Sequence, residues 1–300
     1  TGLYDPETSN ASIYQYYDSS NTNSYGILTG STALQENALT VEYEAVFTNR
    51  ERSRYLQYTP PNMHYSSLFG WNTPAVSSVT STNTTWASAP VDLGLQVYAV
   101  RDYSEFSNPD IVKTEIPDAK FVVKDRHGNT LLTSSVFADV YNNQKWNFAL
   151  TVHNEKYPFA QDVVGASLDA NSEFILQLYG VNYDSGIKRS SFTESTTLNF
   201  VTGSSMLTSD KRFYMGAHRT NFTGNVEEQS DVKGAGLRVW NNLIPTGTID
   251  HHARDADQYG PLRPYRQAYT FEGPNLPRTF VPNIQTLALF WDLSTISSSN

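Results

Sequence analysis

Apolar and polar residues alternate with a period of two along most of the chain. Leu39, Val41, Tyr43, Ala45 and Phe47 share one face of an extended segment, with Thr40, Glu42 and Glu44 on the other. The same pattern returns in Leu93, Leu95, Val97 and Ala99, in Trp146, Phe148, Leu150 and Val152, and in Phe174, Leu176 and Leu178. Shorter runs follow at Phe213, Met215 and Ala217, at Leu237 and Val239, and at Leu287, Leu289, Trp291 and Leu293. One apolar face per strand is what antiparallel sheets packed face to face require, so the fold class expected is all-β, a two-sheet antiparallel sandwich. Turn residues separate the strands. His127-Gly128-Asn129 lies between Phe121-Val122-Val123 and Leu131-Leu132 and predicts a hairpin. The stretches from Pro60 to Pro90 and from Asp102 to Pro117 read as long irregular loops.

Helical spacing is found once. Ile249, His252, Ala253 and Ala256 predict a short helix over 249–258, with Thr248 as its cap, Asp250 in its first turn and Gly260-Pro261 closing it. The expected organisation is a sandwich over 1–260, its residues 1–25 an extended arm. A Pro-rich segment and last strand over 261–300 would pair back or lead to a following domain.

Composition narrows the class. Aromatic residues make up 13% of the 300 residues, with 19 Tyr and 15 Phe, which suits half-buried pleated surfaces. Charged residues are only 17%, against roughly 25% in ordinary soluble domains; Ser, Thr and Asn take their place, as in many extracellular and viral β-proteins. A net charge of −9 with no clustered basic face argues against a nucleic-acid partner. Arg50, Arg52 and Arg54 form the densest basic stretch, read as a solvated loop. The absence of cysteine excludes disulfides and thiol chemistry. No apolar run approaches the roughly 18 residues of a membrane span. Opening at Thr1 and closing on Ser297-Ser298-Ser299-Asn300, the chain reads as part of something longer.

Three elements in order are more specific than any strand alone. Trp146-Asn147-Phe148-Ala149-Leu150-Thr151-Val152 is followed by Phe174-Ile175-Leu176-Gln177-Leu178-Tyr179-Gly180-Val181-Asn182, and then by Arg212-Phe213-Tyr214-Met215-Gly216-Ala217. Gly236-Leu237-Arg238-Val239-Trp240-Asn241 then leads into the short helix. This series resembles the laminin-G-like, concanavalin A-type jelly roll, by motif over 120–260 and by alternation alone over 25–120. The turn after Val181, Asn182 through Gly186, is longer than that pattern. The helix sequence His251-His252-Ala253-Arg254-Asp255-Ala256 is similar to jelly-roll domains of large structural proteins of tailed phages, marine ones especially.

That resemblance admits glucanases as well as lectins, and the chemistry-bearing residues decide between them. Glycoside hydrolysis needs two carboxylates flanking the bond. Glu42 and Glu44 share a strand face, but Val46 stands where a third acid would follow, and the pair reads as solvent-facing. Gly203-Ser204-Ser205 lacks the closing glycine of a nucleophile elbow and reads as a turn. Gly234-Ala235-Gly236 opens a strand and is no dinucleotide loop. His251 and His252 are adjacent, with no partner at i+4 for a zinc site. No catalytic residue, and no enzyme, is expected. The one metal to which loop oxygens are offered is calcium, at Asn225, Glu227, Glu228 and Asp231; no other cofactor is expected. Tyr65, Trp71 and Trp86, among Asn62, His64, Asn72 and Asn83, are the candidate glycan-stacking aromatics, with cover for a sheet edge or subunit interface as the bland alternative. The function expected is a non-enzymatic structural and adhesive module of a virion or extracellular surface. Its partners would be other copies or subunits of a larger assembly and glycans on a host; the alternative is an extracellular lectin or glycan-active enzyme.

Overall fold

The computed structural model describes residues 12–17, 38–49, 65–72, 93–102, 117–155, 173–208, 211–219, 226–228, 230–255 and 287–292. Strands dominate them, and the fold class is all-β as expected, with two six-stranded antiparallel sheets and a two-stranded ribbon. The chain divides into two compact units, each assembled from three separate segments, so neither is a continuous stretch of sequence.

The first unit comprises Thr1–Asn21, Ala45–Lys145 and Thr208–Gly234. Its six-stranded sheet contains β1 (Ser12–Tyr17), β3 (Tyr65–Asn72), β4 (Leu95–Arg101), β5 (Ala119–Asp125), β6 (Thr130–Thr133) and β10 (Lys211–Gly216), in the order β1-β10-β3-β4-β5-β6. A two-stranded ribbon joins β11 (His218–Arg219) to β12 (Val226–Glu228). The hairpin between β5 and β6 forms where the sequence places it. Gly128 takes φ 82°, and Asp125 accepts the Asn129 backbone N–H through Oδ1 at 2.8 Å, closing the turn. By contrast, β3 occupies a stretch read as irregular loop. Its register with β4 shifts between Ser67 and Phe69, and that bulge interrupts the alternation by which a strand is recognised.

The second unit comprises Thr22–Glu44, Trp146–Leu207 and Ala235–Asn300. Its sheet runs β14-β13-β2-β7-β8-β9, built from β2 (Ala38–Phe47), β7 (Gln144–Asn154), β8 (Phe174–Asp184), β9 (Ile187–Leu198), β13 (Lys233–Trp240) and β14 (Leu287–Asp292). β14 pairs antiparallel with β13, Trp291 opposite Leu237. The β8–β9 connection corrects the expectation of a long turn after Val181: both strands continue to a two-residue loop, Ser185 (φ 51°) and Gly186 (φ 79°). Two successive positive φ values match the twist of the flanking strands.

Two helices lie in this unit. Helix α1 (Phe200–Thr208) falls on the Gly203-Ser204-Ser205 segment that reads as a turn. Asn199 caps it, its Oδ1 accepting the Thr202 backbone N–H at 2.8 Å, and Met206 and Leu207 are buried. A Cβ on Gly203 would meet the Phe174 ring at 2.2 Å, so glycine here allows helix and strand to approach. Helix α2 spans Thr246–Arg254 rather than 249–258. Pro245 is its N-cap, with extended backbone and no side-chain capping bond. Proline suits a helix entrance because its missing N–H is one the helix cannot use there. Thr248 is thus inside the helix, and its backbone N–H bonds the Pro245 carbonyl at 2.8 Å. Residues 256–261 lie outside the described set. On the sheet side, Ile249 and Ala253 pack with Ala149, Tyr179, Val181 and Trp240. Tyr179 donates its hydroxyl to Asp250 Oδ1 at 2.5 Å and accepts from Lys188 Nζ at 2.9 Å, tying helix to strand.

Candidate functional site

The carboxylate pair Glu42 and Glu44 does not face solvent. Every residue of β2 but Val46 is buried, with Glu42 at 1% exposure and Glu44 at 8%. The reading of an outer, solvated face fails because α2 covers this part of the sheet, and a covered strand is buried on both sides. Glu42 is held by two cation-capable groups: Arg238 Nη1 at 3.1 Å from Oε2, and His252 Nδ1 at 2.8 Å from Oε1. The His252 ring stacks on Trp240, centroids 5.6 Å apart and planes 12° off parallel. A carboxylate enclosed this way is a structural anchor, since burial of a charge is tolerated only with partners.

The three aromatics singled out in the sequence separate. Trp71 is fully buried; its indole N–H donates to the Leu93 carbonyl at 3.0 Å and its ring meets Phe213 edge-on at 6.2 Å. It is core. Trp86 lies outside the described residues. Tyr65 alone is placed at a partly open surface, half-buried at the start of β3.

The proposed calcium oxygens are likewise divided. Asn225 lies outside the described residues, and Glu227 and Glu228 belong to β12. Asp231 is committed elsewhere: its Oδ2 receives Arg101 Nη2 at 2.6 Å, and its backbone N–H donates to Ser66 Oγ at 3.0 Å. Among the described residues no three His, Asp or Glu side chains are grouped to hold a metal.

Around Tyr65 the first unit's sheet forms a depression of about 190 Å³. Strand register explains its lining. Tyr65 stands opposite Val100 and Val100 opposite Lys120, while Val122 stands opposite Thr133 and Lys124 opposite Thr130. These positions share one face because pairing neighbours point the same way. Val100 and Val122, both buried, make an apolar floor with Tyr65 and Tyr98. Lys120, Lys124, Thr130 and Thr133 rise around it, and Arg101 and Asp102 close one end. The Lys124 ammonium sits 4.3 Å from the centre of the Tyr65 ring, which in turn meets Tyr98 edge-on at 6.2 Å. The Tyr98 hydroxyl reaches His218 Nδ1 at 2.9 Å. Burial, and secondarily the Arg126 charge, lowers His218 to about 4, so its ring is neutral at ordinary pH and Nδ1 can accept the Tyr98 hydroxyl.

The two lysines and two threonines were not among the sequence candidates. In Ala119-Lys120-Phe121-Val122-Val123-Lys124-Asp125 the lysines look like ordinary strand flanks. Only pairing with β4 and β6 brings them around Tyr65.

No protein-family model matches the chain, and no curated protein matches it. Among solved structures it is similar to the enzymatically active domain of Bacteriophage CBA120 tailspike protein 2, at 10% sequence identity and a TM-score of 0.37. The alignment covers 85% of this chain and 29% of that one, so the chain spans under a third of its neighbour's length. That neighbour is described as enzymatically active, against the expectation that this chain is not an enzyme. No helix among the described residues is long and apolar enough to cross a membrane.

Proposed function

We propose that this chain is a glycan-contacting β-sandwich module of a virion or other surface protein, and that the depression beside Tyr65 is where it meets sugar. The observation that carries the reading is the composition of that depression: an aromatic ring, two threonine hydroxyls and two ammonium groups around an apolar floor. Sugars present apolar C–H faces and hydroxyls together, and such a mixed lining answers both. At about 190 Å³ the depression is smaller than the roughly 300–1,000 Å³ clefts that engulf drug-sized ligands, so it suits one ring of a longer glycan.

The surface setting is part of the same proposal. It is supported by the low charged fraction of 17%, the lack of cysteine, and the jelly-roll resemblance of the strands from Trp146 to Trp240. Further copies or subunits of a larger assembly are the other partners such a module would have. A glycan array probed with the parent and with Tyr65→Ala tests the reading. Signal on the parent that is lost in the variant is expected; a blank parent contradicts it.

A further inference from the structure

We infer that the Tyr65 depression selects acidic saccharides, those bearing a carboxylate or a sulfate, over neutral ones. The inference rests on the proposed glycan contact and adds the chemical class of the sugar.

The first argument concerns the tyrosine. A neutral sugar stacks on an open ring face, but one face of Tyr65 already carries the Lys124 ammonium at 4.3 Å, and the ring is also in T-shaped contact with Tyr98. Stacking on that face would displace the Lys124 ammonium from the ring. An anionic substituent meets no such conflict, because it approaches the ammonium itself while the ring holds the lysine stem in place.

The second concerns charge. Four ionic groups line the depression in addition to Tyr65: Arg101, Asp102, Lys120 and Lys124. Arg101 is matched by Asp231 at 2.6 Å, in a pair whose side chains are 6% and 1% exposed. Lys120 and Lys124 have no carboxylate partner among the described residues. They outnumber Asp102, and the rim keeps one net positive charge on a protein of net −9. Four residues of extended strand put their Cα atoms about 13 Å apart. Both side chains flank the floor made by Val100 and Val122, where an acidic group would find them across a surface that water wets poorly. Thr130 and Thr133, both exposed on the neighbouring strand, offer hydroxyls to the sugar's own.

The test uses immobilised uronic-acid and sulfated oligosaccharides beside their carboxyl-methylated and desulfated counterparts. Each is titrated with the parent, with Lys120→Met, with Lys124→Met, and with Lys233→Met as a control at an exposed lysine that is not part of the depression's lining. The parent should bind at least one acidic member about tenfold more tightly than its neutralised form, as loss of a charge-assisted contact implies. Either groove variant should lose about tenfold while keeping the parent's thermal unfolding, and the control should lose nothing. Preference between the carboxylated and sulfated members identifies which anion is read. Equal affinity for charged and neutralised members overturns the acidic preference and leaves the glycan reading standing. Silence on every member, neutral ones included, overturns both. Acid-selective binding indifferent to both groove variants places the site elsewhere and overturns the inference.

Discussion

Arg238 Nη1 lies 3.1 Å from Glu42 Oε2, joining residues 196 positions apart, with side chains only 6% and 1% exposed. The pair bridges β2 and β13, and His252 of α2 meets the same carboxylate. Taking a carboxylate and a guanidinium out of water is costly, and the cost is offset only while the partners remain. Removing one therefore leaves an uncompensated buried charge.

Glu42→Gln should accordingly lower unfolding stability by about 3–5 kcal/mol, the range for breaking a buried pair. Chemical denaturation of parent and variant reads this directly. The double variant Glu42→Met, Arg238→Met, which removes both charges, should recover part of the loss. A single variant as stable as the parent would mean that the cluster is hydrated.

Stability should fall on the acid side through His218. Its folded pKa of about 4 lies below the ordinary 6.5, so between these values the unfolded chain binds a proton that the folded chain refuses. Stability is complete above about 6.5 and declines as pH drops toward 4, by up to roughly 3 kcal/mol for this one group. His153, lowered chiefly by burial, adds a contribution of the same sign. Unfolding midpoints across this range should flatten in His218→Gln, whose amide can still meet the Tyr98 hydroxyl without titrating.

Gly203→Ala sets two effects against each other. In the interior of an exposed helix alanine is favoured over glycine by about 1 kcal/mol. In α1 the added Cβ would fall 2.2 Å from Phe174 Cγ, in a ring that is itself fully buried. Overpacking of that kind costs roughly 1–3 kcal/mol, so the net effect should be destabilising. A lowered unfolding temperature is expected, and a raised one would show that the Phe174 ring yields.

Much of the fold is legible in the sequence because burial follows alternation. β2, β4, β7 and β8 all have the apolar face that Val41, Val97, Phe148 and Leu176 announce. β9 is not legible, since Phe192 is its one buried residue and every other position between the end residues Ile187 and Leu198 is polar, along a sheet edge. Helix α1 is hidden for another reason. Phe200-Val201-Thr202-Gly203-Ser204-Ser205-Met206 has weak helix formers, and its helix is stabilised by burial of Met206 and Leu207 and by the Asn199 cap. At the candidate site Tyr65 could be singled out as an aromatic among polar neighbours, but Trp71, in the same strand, could not be told apart from it. The bulge between Ser67 and Phe69 and the pairing of Trp71 with Leu95 send its ring into the core. The lysines depend on register across three strands, which no local pattern encodes.

Trp71→Ala should behave as a core deletion and cost about 3–5 kcal/mol. Circular dichroism melts of Trp71→Ala and Tyr65→Ala side by side check this. The tryptophan variant should melt well below the tyrosine variant, whose residue is half-buried at the rim.

The claim that the depression beside Tyr65 contacts glycan is tested most directly by backbone amide NMR shifts during titration with the best array ligand. The expected shifts cluster at Tyr65, Val100, Lys120 through Lys124 and Thr130 through Thr133, with residues of the second unit such as those of β8 unmoved. Saturable shifts confined to any other surface, or binding that leaves these amides in place, would contradict it.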